Sequence, residues 1–246
     1  MKIQAFTRNQ KTILSVDFDR RTTCPQFCDY CYVDNMENIY PAYLEKIQRN
    51  NSWAIDNAEN FARQLNEEYA WCRKSKSKAL KGLERLPVRI YGSGDYVEDH
   101  FDFITQLNFK FYIISKSLTM KEMDKELTRL RQLDNLTRIV LSFDNENIKN
   151  YENVKHLYKK DGIQFAFTGT KDDWVIQTEF NEREFGIFFN IGNKKKDKEF
   201  SKGVRQSCPT DGKKLALQKA CSVCNKCWRS SKTKGGHQAW NSTIQA

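Results

Sequence analysis

Between residues 11 and 191 the chain alternates short apolar runs of strand character with stretches of helical period. Residues 11–19, KTILSVDFD, set Ile13, Val16 and Phe18 in an apolar–polar alternation that predicts a first strand. Further strands are predicted at 88–91, 109–115, 137–143, 163–168, 174–178 and 185–191. Helices are predicted between them. Ser52 reads as the N-cap of a helix over 52–74, with Ala54, Ala58, Phe61, Ala62, Leu65, Tyr69 and Cys72 on one face. A second helix covers 97–107. Thr119-Met120-Lys121-Glu122 is a capping-box sequence opening a helix whose face carries Met123, Leu127, Leu130 and Leu133. Asn145 or Asn147 caps a fourth, with Ile148, Tyr151, Val154 and Leu157 sharing a face and Gly162 stopping it. Such alternation calls for parallel neighbours joined by right-handed crossovers. Six or so strands in this length fit an α/β fold, a partial (β/α)6 TIM-like barrel, with a flat doubly wound sheet as the alternative.

The totals bound the class. At 246 residues, 39% hydrophobic and 13% aromatic, the chain can bury a real core. No run of about 18 apolar residues is present, so no spanning helix is expected. The start, MKIQAFTRNQKTIL, lacks the apolar stretch and cleavage site of a signal peptide. Eight cysteines in metal-like clusters suit a reducing cytoplasm. A formal net charge of +10 favours acidic partners, nucleotides and nucleic acid among them. Runs such as Lys194-Lys195-Lys196 and Lys213-Lys214 also read simply as solvated loops.

Directly after the first strand come Cys24, Cys28 and Cys31, spaced C-x3-C-x2-C. Three thiolates leave one position of a four-iron cluster unfilled, and an unfilled iron can bind a substrate or cofactor. Structural zinc uses four ligands in paired knuckles, and the neighbourhood offers no fourth. A disulfide would strand an odd thiol. Cys72, on an apolar helix face, reads as a small buried hydrophobe. Farther along, Gly92-Ser93-Gly94-Asp95 follow the second strand. Paired glycines let backbone approach a ligand, although a plain turn uses them too. Ser115 and Lys116 follow the third strand, and Ser142 and Asp144 close the fourth.

The triplet, with the aromatic Tyr30 before its third cysteine, resembles the signature of the radical S-adenosylmethionine (SAM) enzymes. The resemblance spans roughly residues 11–191 and implies the partial barrel. It implies a [4Fe–4S] cluster on Cys24, Cys28 and Cys31 whose open iron is chelated by the amino and carboxylate groups of SAM. An electron from a donor such as flavodoxin or ferredoxin would cleave SAM to methionine and a 5′-deoxyadenosyl radical. In that family a Gly-Gly-Glu-like loop holds the amino group, and Gly92-Ser93-Gly94-Asp95 looks like a variant of it. Lys116, beside Ser115, would then pair with the SAM carboxylate. Ser142 or Asp144 would accept from the ribose, and Thr168-Gly169 would lie near the adenine.

Residues 192–206 are polar and basic, and Cys208, Cys221, Cys224 and Cys227 follow. A domain boundary is therefore expected between 1–191 and 192–246. The run C-x2-C-x2-C plus one distant cysteine resembles ferredoxin ligation and predicts a second, closed [4Fe–4S] centre, with zinc as the alternative. His237 reads as a solvated tail residue. Gly92-Ser93-Gly94-Asp95, Cys208-Pro209-Thr210 and Cys224-Asn225-Lys226-Cys227-Trp228 are similar to a group of small phage-type radical SAM proteins, the gene product 88-like family. The expected function is SAM cleavage followed by hydrogen abstraction from a nucleotide or nucleic acid, or from a peptide. A non-enzymatic, metal-stapled nucleic-acid-binding protein would account for charge and cysteine count, but not for a set of three.

Overall fold

The computed structural model describes residues 4–8, 14–24, 40–75, 86–157, 160, 162–169 and, as backbone, 187–190. Seven strands form one mixed sheet: β1 (Phe6–Arg8), β2 (Leu14–Val16), β3 (Val88–Ile90), β4 (Phe111–Ser115), β5 (Leu136–Phe143), β6 (Ile163–Gly169) and β7 (Ile187–Asn190). They lie side by side in chain order. β1 runs antiparallel to β2, and the six strands from β2 onward are parallel. Among the described residues no pairing joins β7 to β1, so the sheet is open. Right-handed crossovers in an order that never reverses return on one side of the sheet. The packing agrees. Val16, Ile90, Ile113, Ile139, Leu141, Phe143, Phe165 and Phe167 belong to the main core together with helix residues such as Phe61, Leu65, Phe103 and Leu127.

The first crossover is two helices, α2 (Pro41–Asp56) and α3 (Ala58–Lys74), after a single turn, α1 (Arg20–Thr23). This corrects the helix expected over 52–74. Ser52 lies inside α2, and the break falls at Asn57, whose φ of −152° and ψ of 58° leave the helical region. Pro41 starts α2 where a missing N–H has no consequence. α3 has the expected face, with Phe61, Ala62, Leu65 and Cys72 buried. Burial and the charge of Glu68 push the Cys72 thiol up to about 11, which suits an inert core residue. Glu68 shares that face, and its carboxylate accepts from the backbone N–H groups of Gln4, Ala5 and Phe6. It thereby holds β1, an edge strand that hydrophobic alternation does not reveal.

The later helices are shorter than their periodicity predicts: α4 is Phe101–Thr105, α5 is Asp124–Leu130 and α6 is Tyr151–Val154, each entered through a 3-10 turn. The capping box at Thr119 does not form. Thr119 Oγ1 donates to the carbonyl of Lys116 at 2.6 Å, closing the Ser117–Thr119 turn instead. Phe18, Phe61, Phe103 and His100 pack as an aromatic knot under the end of β2, with ring centroids 4.4–6.2 Å apart. The expected strand at 174–178, the boundary near 191 and the cysteine-rich segment 192–246 lie outside the described residues.

Candidate functional site

Chemistry-bearing side chains gather at the C-terminal ends of β2 to β5. Asp19 accepts from the backbone N–H of Arg21 at 2.9 Å and caps α1, which ends at Thr23 and delivers Cys24. Cys24 is partly exposed, and its N–H donates to the Arg20 carbonyl at 2.9 Å. The loop after β3 is sewn to this turn. Ser93 Oγ donates to the Phe18 carbonyl at 2.9 Å, and Phe18 N–H donates to the Ser93 carbonyl at 3.2 Å. The Asp95 N–H donates to Thr23 Oγ1 at 3.1 Å.

Both loop glycines are required by this closeness. A Cβ at Gly92 would meet Asp17 Oδ1 at 1.9 Å and Ser15 Oγ at 2.9 Å. Gly94 has φ +75°, and a Cβ there would meet Thr23 Oγ1 at 2.6 Å. The glycines thus let the loop close on the polypeptide leading into Cys24. Tyr91, at φ 66°, is a non-glycine residue in the left-handed region at the start of the same loop. Its hydroxyl lies 3.1 Å from His100 Nδ1. Burial holds His100 neutral, with its pKa lowered from 6.5 to about 3.

Asp95 is buried and turned toward β4. Its Oδ1 accepts from Ser115 Oγ at 2.5 Å, Tyr96 N–H at 2.7 Å and Ser117 Oγ at 3.1 Å. Its Oδ2 accepts from the N–H groups of Lys116 at 2.9 Å and Ser117 at 3.1 Å. Burial raises its pKa, and these hydrogen bonds oppose the rise. The carboxylate expected to face a ligand therefore joins two strand ends. Lys116 Nζ forms an ion pair with Asp144 Oδ2. Asp144 Oδ1 also accepts from Glu146 and Asn147 N–H, both at 3.1 Å, and Asn147 Oδ1 accepts from Asp144 N–H at 2.6 Å. Asn147 Nδ2 donates to the Ser142 carbonyl at 2.9 Å.

Gly92, Ser93, Gly94, Asp95, Ser115, Lys116, Ser142 and Asp144 are thus brought to one end of the sheet, on the three strands that follow β2 in its order. Cys28, Cys31, Tyr30 and the four C-terminal cysteines, with His237, lie outside the described residues. Among the described residues no group of three or more His, Cys, Asp or Glu is poised around a metal. The sequence reading missed Asp17, Thr23, Tyr43 and Ser117. Asp17 had a signal, as a charged position alternating with Val16 and Phe18.

On the face opposite the helix-packed core, Ser15, Arg89, Tyr112 and Arg138 form one row across β2 to β5, set by the pairings Ser15↔Arg89, Arg89↔Tyr112 and Tyr112↔Arg138. Arg138 donates to Gln164 Oε1 at 3.3 Å. Beyond the row come Ile114, Val140 and Ala166, a small apolar layer. This face is basic at one level and apolar at the next.

The family model that matches the chain is gene product 88, over residues 2–230. The chain belongs to the gene product 88 family. That match corrects the placement in the radical SAM superfamily: nothing in the comparison indicates a radical SAM domain, and the small phage-type group is not carried into that superfamily by it. Three cysteines and a glycine loop are short patterns, whereas the family match draws on nearly the whole chain. No curated protein and no solved structure matches. No helix among the described residues is long and apolar enough to cross a membrane.

Proposed function

We propose that this gene product 88 family protein is an enzyme that holds a [4Fe–4S] cluster on Cys24, Cys28 and Cys31 and reductively cleaves SAM there. The proposal rests on the donor set and its setting, not on a superfamily. Three thiolates fit a cluster with one open iron, and Cys24 is partly exposed at a strand end, where α/β folds place their ligands. When bound, the cluster supplies one electron, taken from a flavodoxin- or ferredoxin-like donor, to break SAM into methionine and a 5′-deoxyadenosyl radical that takes hydrogen from the substrate. The chain's own part is to orient the nucleoside and exclude water. Gly92 and Gly94 bring backbone close to the cysteine turn, and Lys116 and Asp144 put paired charges at the neighbouring strand ends.

The strand order that never reverses supports a partial barrel over a doubly wound sheet, because the latter turns back at a switch point. The sheet face opposite the helices, where Ser15, Tyr112 and Arg138 are buried, would then be the cavity wall. Its arginines and the net charge of +10 favour a phosphate-bearing substrate, a nucleotide or nucleic acid. Cys208, Cys221, Cys224 and Cys227 complete the proposal as ligands of a second, closed cluster. The test is metal content and spectra after anaerobic reconstitution. About eight irons per chain, with broad visible absorbance bleached by dithionite and an electron paramagnetic resonance signal altered by SAM, is the expected result. Four irons and one zinc would keep the first site and replace the second cluster. A colourless protein holding only zinc would overturn the enzymatic reading.

A further inference from the structure

Six carboxylates are buried in the described structure, and five of them are satisfied by the protein. Asp19 caps α1, and Glu68 holds the start of β1. Asp95 takes five donors. Glu126 accepts from Tyr96 and Arg129. Asp144 takes Lys116 and two backbone N–H groups. Asp17 is the exception. It is 3% exposed, and its Oδ1 has no hydrogen-bond partner.

Its other oxygen fares little better. Tyr43 OH lies 3.3 Å from Asp17 Oδ2 but 2.9 Å from Ser93 Oγ. Ser93 spends its own proton on the Phe18 carbonyl, so the single Tyr43 proton is divided between two acceptors. Lys46 feels the charge of Asp17, yet its ammonium donates to the Phe6 carbonyl and forms no ion pair with Asp17. A buried carboxylate left short of donors is destabilising by an amount a fold does not normally retain without use. This one sits at the end of β2, with Oδ1 and Ser15 Oγ converging on the bare α-carbon of Gly92, in the loop bonded to the turn before Cys24.

We infer that Asp17 is the anionic pole of a ligand subsite at the end of β2, accepting from a hydroxyl or ammonium group of the bound nucleoside amino acid. This rests on the SAM reading above. The ribose hydroxyls and the ammonium offer the same donor chemistry, and fragments of SAM separate them.

The experiment measures binding of SAM, methylthioadenosine and methionine to reconstituted full-length protein, wild type against Asp17→Asn and Asp17→Ala, with melting temperatures recorded without ligand. Both variants should load iron and melt at or above the wild-type temperature, because an unsatisfied charge has been removed. Both should bind SAM about ten- to a hundredfold more weakly, the range of one charge-assisted hydrogen bond. A matching loss for methylthioadenosine assigns the ribose, and one for methionine assigns the ammonium. Unchanged SAM affinity overturns the inference and leaves the SAM reading intact. Melting well below wild type in both variants also overturns it, since Asp17 would then be structural. A cluster-loaded wild type that binds no SAM removes the reading and this inference with it.

Discussion

Thr23 Oγ1 accepts the Asp95 backbone N–H at 3.1 Å, so the residue just before Cys24 is fastened to the loop after β3. Two strand ends 72 positions apart in the chain are thereby held in one register. Thr23→Val keeps the shape and removes the acceptor, leaving a buried N–H unsatisfied. It should lower stability by about 1–3 kcal/mol. Denaturant unfolding checks this, and iron loading should fall in the same variant because the cysteine turn loses its anchor.

Asp95 joins β3 to β4 through five donors. In Asp95→Asn the amide presents N–H where the neighbours also present N–H, and the expected loss is about 2–4 kcal/mol. Asp95→Ala should be no better. If Asp95→Asn proves neutral by chemical denaturation, the carboxylate does not connect the strands.

Gly92→Ala and Gly94→Ala should both destabilise, for different reasons. At Gly94 the left-handed φ of +75° adds backbone strain of about 1–2 kcal/mol to a contact at 2.6 Å with Thr23 Oγ1. At Gly92 the obstacle is the Asp17 carboxylate. Combining Gly92→Ala with Asp17→Ala should therefore recover stability, whereas Gly94→Ala with Asp17→Ala should not. Comparing unfolding midpoints across the two pairs separates steric from conformational strain.

His100 gives the fold an acid sensitivity. Its pKa falls from 6.5 to about 3 on burial, so the unfolded chain binds more protons between those values. Its contribution is fully present above pH 6.5 and is lost as pH falls toward about 3. His100→Phe, which keeps the ring among Phe18, Tyr91 and Phe103, should flatten the decline of melting temperature across that window. An unaltered slope would place the acid sensitivity elsewhere.

Much of the sheet was legible because β4, β5 and β6 carry apolar runs bounded by turns, and burial enforces that pattern. Gly92, Gly94 and the polar strand ends were legible for the same reason. What escaped depends on contacts distant in sequence. β1 pairs with β2, and its start is anchored by Glu68, more than 60 positions away, which accepts from the N–H groups of Gln4, Ala5 and Phe6. The break at Asn57 leaves no mark in helical period, since both sides keep an apolar face. The hydrogen bonds of Asp95 escaped because its partners, Ser115, Lys116 and Ser117, lie 20 to 22 positions on. Short motifs also misled: the cysteine triplet suggested a superfamily, and the match over residues 2–230 assigned the gene product 88 family.

Product analysis is the sharpest test of SAM cleavage at Cys24, Cys28 and Cys31. Reconstituted protein, reduced anaerobically and incubated with SAM, should form 5′-deoxyadenosine and methionine. Replacing Cys24, Cys28 and Cys31 together by alanine should abolish both products while the fold of the sheet persists by circular dichroism. Absence of 5′-deoxyadenosine from iron-loaded wild type, or equal yield from the triple variant, would contradict it.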